Sequence, residues 1–129
     1  MKKLLVTLCT IALAATAAFA GSFPDISLND LKAAIAAKDV TIIDVNGTAS
    51  YEKGHIPGAI DYTAVKSDLA AKLPAYKGAL VVAYCGSEKC GAYARAAEAA
   101  KELGYTNVKH FAPGLSGWKA ANEPLQAAK

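Results

Sequence analysis

Metal ligands and clustered charge are scarce in this 129-residue chain. Its two histidines, His55 and His110, stand far apart, and its three cysteines fall at Cys9, Cys85 and Cys90. Four residues separate Cys85 from Cys90, the loose end of zinc-ligand spacing, and no second pair follows, so no metal site is expected. Nor is there a basic run or stripe. Of 14 lysines and arginines two are Lys2 and Lys3, and the other 12 face 11 acidic residues, a net charge of +1. Nucleic acid and anionic membrane surfaces are therefore not expected partners. Beyond the first twenty residues there are no internal repeats, low-complexity tracts, linker-like stretches or stop-transfer segments.

Residues 1–20 read as a cleavable signal peptide. Lys2 and Lys3 form a basic start, Leu4 to Ala17 is uncharged and apolar, and Ala18-Phe19-Ala20 supplies small residues for cleavage before Gly21. The apolar run is short for a membrane span. The expectation is an exported, periplasmic protein whose single domain is 21–129. Cys9 leaves with the leader, and Cys85 and Cys90 remain in an oxidising compartment, where their redox state matters.

Strands and helices alternate through the rest. Ser27-Leu28-Asn29-Asp30 resembles a capping box, and Leu28, Leu31 and Ile35 follow at helical spacing, predicting a helix over 28–38. Val40–Val45 is a β-branched run and reads as a buried strand. Gly54-His55-Ile56-Pro57-Gly58 is a turn cluster, with a brief strand at Ala59–Tyr62. A helix over 64–73 ends before Pro74. Ala79–Tyr84 reads as a strand, 92–103 as a helix stopped by Gly104, Val108–Phe111 as a strand and Leu115–Ala121 as a last helix. This order predicts an α/β fold, a parallel sheet covered by helices on both faces, with ligands beyond the carboxyl ends of the strands.

Cys85 falls at that edge, between an apolar strand and a helix amino terminus. Unpaired N–H groups of a helix start favour an anion, here a thiolate or a group bonded to the sulfur. The alternative is a buried cysteine packed as a small hydrophobe.

Several segments resemble the rhodanese-like domain family. Ile43-Asp44-Val45, Tyr51 and Gly54-His55-Ile56-Pro57-Gly58-Ala59-Ile60 are similar to its amino-terminal signature. Tyr84-Cys85, Ala96-Ala97 and Leu103-Gly104-Tyr105-x-Asn107-Val108 are similar to its active-site half, and Pro113-Gly114-Leu115-x-Gly117-Trp118-Lys119 with Glu123-Pro124 to its closing segment. The resemblance implies a five-stranded, mostly parallel sheet flanked by helices. It also implies a sulfurtransferase in which Cys85 takes sulfane sulfur from a thiosulfate- or persulfide-type donor. The Cys85 persulfide then passes its outer sulfur to a thiol, cyanide or protein acceptor, with no cofactor. The loop of Gly86, Ser87, Glu88, Lys89, Cys90 and Gly91 would cradle the persulfide through its N–H groups. Asp44 would orient the loop and His55 would stabilise the turn that carries it. Two departures stand out: Asp44-Val45-Asn46 replaces the frequent Asp-x-Arg, and the loop is about two residues longer, which brings in Cys90.

Residue by residue, Cys85 is expected to be a low-pKa nucleophile. Cys90 is either a resolving thiol, attacking the inner sulfur of a Cys85 persulfide, or a spectator; the sequence leaves both open. Lys89 either steers a sulfur oxyanion or pairs with Glu88 in solvent, and Ser87 either binds an anion or shapes the turn. Arg95, ten residues beyond Cys85, reads as a surface residue. His110 and Trp118 read as structural. Three function classes follow: an exported sulfurtransferase, a dithiol redox protein using Cys85 and Cys90, and a non-catalytic binding module. Phosphatase or arsenate reductase chemistry would need an arginine at the end of the loop, and none is there.

Overall fold

Four short strands, each ending at one edge, organise the protein in a computed structural model that describes residues 23–128. The leader expected over 1–20 lies outside the described residues. The elements run α1 (Leu28–Ala36), β1 (Thr41–Asp44), α2 (Thr48–Lys53), β2 (Ile60–Asp61) and α3 (Tyr62–Val65). A 3-10 turn (Lys66–Asp68) leads to α4 (Leu69–Lys72), then β3 (Leu80–Tyr84), α5 (Tyr93–Glu102), β4 (Asn107–His110) and α6 (Gly114–Ala120). The sheet is parallel throughout, in the order β2-β1-β3-β4. The chain reverses its direction of winding between β1 and β3, the position where open α/β sheets leave a crevice beyond the strand ends.

Period-2 alternation sorts the strand residues onto two cores. Ile42, Val82 and Tyr84 pack with Leu31, Phe111, Leu115 and Trp118 under α1 and α6. Ile43, Val81 and Ala83 pack with Leu69, Leu73, Ala96, Ala97 and Ala100 under α4 and α5. Val81 and Val82 are fully buried, each contributing roughly 1.5–3 kcal/mol of apolar transfer. The alanines of α5 let that helix lie close on the sheet.

Ser27 caps α1 by accepting the Asp30 N–H at 3.1 Å, as the sequence predicts. Gly104 ends the turn after α5 with φ 98°, a conformation that costs glycine little. Two expectations differ from the structure. The helix over 64–73 breaks into α3, a 3-10 turn and α4, because Asp61 starts a helix at once by accepting the Thr63 N–H at 3.0 Å.

Among the described residues the expected five strands are four. The segment before α1 meets the β4 edge through His110 N–H to the Pro24 carbonyl at 2.8 Å and Ile26 N–H to the His110 carbonyl at 2.9 Å. It forms a single bridge at Asp25. Pro24 has no N–H with which to extend the ladder, so the pairing stops there.

Candidate functional site

Beyond β3 the backbone is held from the side by α6. The Cys85 carbonyl accepts the Leu115 N–H at 2.9 Å and the Gly86 carbonyl accepts the Ser116 N–H at 2.8 Å. Close approach is possible because residue 114 is glycine. Its φ is 63°, and a Cβ there would lie 2.6 Å from the Cys85 oxygen and 2.9 Å from the Ser87 nitrogen. From Gly86 the loop curls back, closed by the Cys90 N–H on the Ser87 carbonyl at 3.2 Å.

That curl brings Cys90 to Cys85. Both thiols are free, and each acts on the other's acidity. No side chain caps α5; an orphan N–H group of its first turn meets sulfur instead. The Tyr93 N–H donates to Cys85 Sγ at 2.8 Å. Of the loop amides expected from the sequence, that of Cys90 closes the turn, and the amide that bonds sulfur is that of Tyr93, beyond the loop.

The two thiols differ in acidity. Burial, then the hydrogen bond to Cys90, pushes Cys85 up to about 12, against the pull of the Tyr93 and Ala92 N–H groups. Cys90 is half-buried, and its burial acts in the same raising direction. The Cys85 hydrogen bond, the Ala92 and Gly86 N–H groups and the positive charge of Arg95 outweigh it, and Cys90 falls below an ordinary thiol. From the sequence a lowered pKa is expected at Cys85; burial raises it instead. Two interacting thiols titrate as a pair.

Beneath the loop lies a second polar cluster. Asp44, fully buried at the end of β1, accepts the Asn46 N–H at 2.7 Å on Oδ1 and the Tyr84 hydroxyl on Oδ2. The Tyr84 oxygen in turn accepts the Ile56 N–H at 3.1 Å. Burial raises the Asp44 carboxyl, opposed by these hydrogen bonds. Asn46, which stands where the family often has arginine, leans on the loop: a Cβ on Gly86 would lie 3.3 Å from its Oδ1. Its Nδ2 is buried without a well-aligned partner.

His55 is a latch. Its Nδ1 meets the Tyr51 carbonyl at 2.7 Å, its ring stacks on Tyr51 at 3.7 Å, and its backbone exchanges two 2.9 Å hydrogen bonds with Gln126. His110 stacks on the Tyr93 ring at 3.4 Å, and burial lowers its pKa. Its Nδ1 lies 3.5 Å from Asp25, and its Nε2 is buried without a partner. Trp118 donates to the Pro124 carbonyl at 2.7 Å and anchors α6 in the core.

Two cavities lie at this edge, one of them bordered by the thiol loop. One of about 320 Å³ lies on the α6 side and is lined by Ser87, Glu88 and Lys89 with Pro113, Ser116, Gly117 and Ala120. Glu88, Lys89 and Gly91 are exposed. The other, about 480 Å³, is lined by Val45, Asn46, Gly47, Tyr62, Thr63, Lys66 and Arg95. Its walls hold two cations and no carboxylate. A cavity of about 500 Å³ around Phe23, Gly104 and Val108 holds no cysteine or histidine. Among the described residues no three His, Cys, Asp or Glu side chains converge as a metal site would require.

Arg95 is the functional candidate that sequence reasoning set aside. Counting residues from Cys85 put it too far away, but the loop folds back. Side chains in the first turn of a helix lean toward its amino terminus, which brings the Arg95 charge to bear on Cys90.

A sequence profile of the rhodanese-like domain matches residues 27–121. The chain belongs to the rhodanese-like domain family. It is 34% identical over 90 residues to an HTH-type transcriptional regulator of Mycobacterium tuberculosis, a match covering 69% of this chain and 38% of that protein's length. Among solved structures it shares its fold with a human single-domain sulfurtransferase (TM-score 0.61, 23% identity, 77% of this chain and 97% of that one). It also resembles a thiosulfate sulfurtransferase from Pseudomonas aeruginosa (TM-score 0.65, 19% identity, 83% of this chain and 21% of that one). A third such fold is a rhodanese-related protein from Thermoplasma volcanium (TM-score 0.63, 19% identity, 82% of this chain and all of that one).

Proposed function

We propose that this rhodanese-like protein is a sulfurtransferase that carries sulfane sulfur as a Cys85 persulfide, taken from an anionic donor of the thiosulfate or persulfide class. The observation that carries the reading is the seat of the Cys85 sulfur: it lies at the carboxyl end of β3 and receives the Tyr93 N–H at 2.8 Å at the start of α5. A sulfur held on helix N–H groups is stabilised when negative charge passes to its outer neighbour. The high pKa of Cys85 does not bar attack. As its sulfur bonds to the donor, Cys85 loses its proton. With thiosulfate, Cys85-SH and the donor dianion become Cys85-S-S⁻, sulfite dianion and a proton taken up by the leaving sulfite or by water. The outer sulfur then moves to an acceptor thiol or protein. The cavity walled by Lys66 and Arg95 is the approach suited to an anionic donor or its anionic leaving group.

Asp44 and His55 act at one remove, as positioning groups for the strand ends and the turn beneath the loop. Export to the periplasm is part of the same proposal and is read from residues 1–20; cell fractionation followed by amino-terminal sequencing tests it. For the chemistry, the test is intact-mass spectrometry after incubation with thiosulfate or inorganic polysulfide. Transfer from the donor, read as sulfur held by the protein or as sulfide released from it, is expected and is lost entirely in Cys85→Ser. Normal sulfur transfer by Cys85→Ser from both donors sinks the reading. The binding-module alternative predicts no loading and a Cys85 that alkylates no faster than a free thiol.

A further inference from the structure

Resting on the sulfurtransferase reading, we propose that Cys90 resolves the Cys85 persulfide, releasing sulfide and leaving a Cys85–Cys90 disulfide, so that the protein is a dithiol-dependent reductant of sulfane sulfur. Two observations point this way. The loop is closed on itself by the Cys90 amide and the Ser87 carbonyl at 3.2 Å, which turns Cys90 back toward Cys85. Both thiols are free, and each acts on the other's acidity. A spectator cysteine filling the loop would need neither. Cys90 is also the more exposed of the two, as the sulfur that must later meet a reductant should be.

The step balances. After loading, the site holds Cys85-S-S⁻ and Cys90-SH. Cys90 sulfur bonds to the inner sulfur on Cys85, the bond from that inner sulfur to the outer one breaks, and the Cys90 proton leaves with the outer sulfur as HS⁻. The sulfane sulfur is reduced and the two cysteine sulfurs are oxidised to the disulfide. A dithiol reductant then reopens the bridge by exchange, becoming a disulfide itself. Attack on the inner sulfur is favoured by the loop closure, which turns Cys90 toward Cys85. The same surroundings lower the pKa of Cys90.

The experiment uses the full mature chain, reduced and freed of reductant, given one equivalent of thiosulfate or of inorganic polysulfide under anaerobic conditions. Intact mass and released sulfide are followed together. The wild type is expected to lose the mass of two hydrogens and to release one equivalent of sulfide. Cys90→Ser is expected to load more slowly, to hold one extra sulfur, and to release none without an added thiol. A wild type that keeps its extra sulfur, with Cys90 still open to alkylation, overturns the inference and leaves the sulfurtransferase reading standing. A disulfide that forms equally fast without donor also overturns it. Absence of sulfur from both proteins with both donors brings down the two readings together.

Discussion

Two polar clusters sit at the carboxyl edge of the same sheet, and they are built in opposite ways. Around Asp44 and Tyr84 the hydrogen bonds close on themselves. The carboxylate takes the Tyr84 hydroxyl and the Asn46 N–H, and the Tyr84 oxygen takes the Ile56 N–H. At Cys85 and Cys90 the partners are two sulfurs and the N–H groups of a helix start. Sulfur is a weak acceptor, so little is lost when a donor's sulfur or oxygen replaces it there. The first arrangement makes a buried charge tolerable and fixes the strand ends. The second leaves its donors available for exchange. Groups bound to strong partners carry structure, and groups bound to weak ones are free for chemistry.

The sharpest way to break the contrast is at the point that holds the thiol loop in place. Gly114→Ala puts a Cβ 2.6 Å from the Cys85 carbonyl at a residue with φ 63°. Left-handed strain and forced backbone movement together predict a loss of about 3–5 kcal/mol. Urea denaturation reads that loss, and sulfur loading of the folded fraction falls with it. If instead loading survives with wild-type stability, α6 does not brace the loop.

Tyr84→Phe strikes the other cluster. It strips a hydrogen bond from the buried Asp44 carboxylate and leaves the Ile56 N–H without an acceptor, for a cost of about 2–4 kcal/mol. The loss has a pH signature. Burial already raises Asp44 above its ordinary 3.8, so its contribution is fully present below that value and is lost as pH rises through the folded pKa. Removing a bond that lowers Asp44 raises it further, so the variant suffers more at neutral than at acid pH. Sulfur loading per folded molecule is expected to stay near wild type. A loading defect larger than the stability defect would join the two clusters into one.

What the sequence made legible was local. Ser27 caps its own helix, Gly104 stops its own turn, and the run from Leu80 to Tyr84 announces a buried strand ending at Cys85. The rest depended on segments far apart in the chain. The missing fifth strand follows from Pro24 meeting β4. Gly114 gains its meaning from the Cys85 carbonyl across the loop, and Asn46 from its approach to Gly86. The helix start after Cys85 gave a sound reason to expect a low pKa there. Burial of that sulfur, not readable from spacing, raises it instead.

The mildest test concerns Arg95, whose exposed charge lowers Cys90 and lines the cavity beside Asn46. Arg95→Gln removes the charge and keeps most of the side chain. The first ionisation of the thiol pair is then expected to move up in pH, read from thiolate absorbance or from the pH profile of alkylation. KM for thiosulfate is expected to rise roughly two- to five-fold, the scale of a solvent-screened charge interaction of up to about 1 kcal/mol. Salt separates the two effects. Screening weakens attraction between an exposed cation and an approaching dianion, so added salt should raise KM in the wild type and much less in the variant. A variant whose KM and salt response match the wild type would return Arg95 to the surface role its sequence position suggested, and would leave the thiol loop to draw its donor without help from that wall.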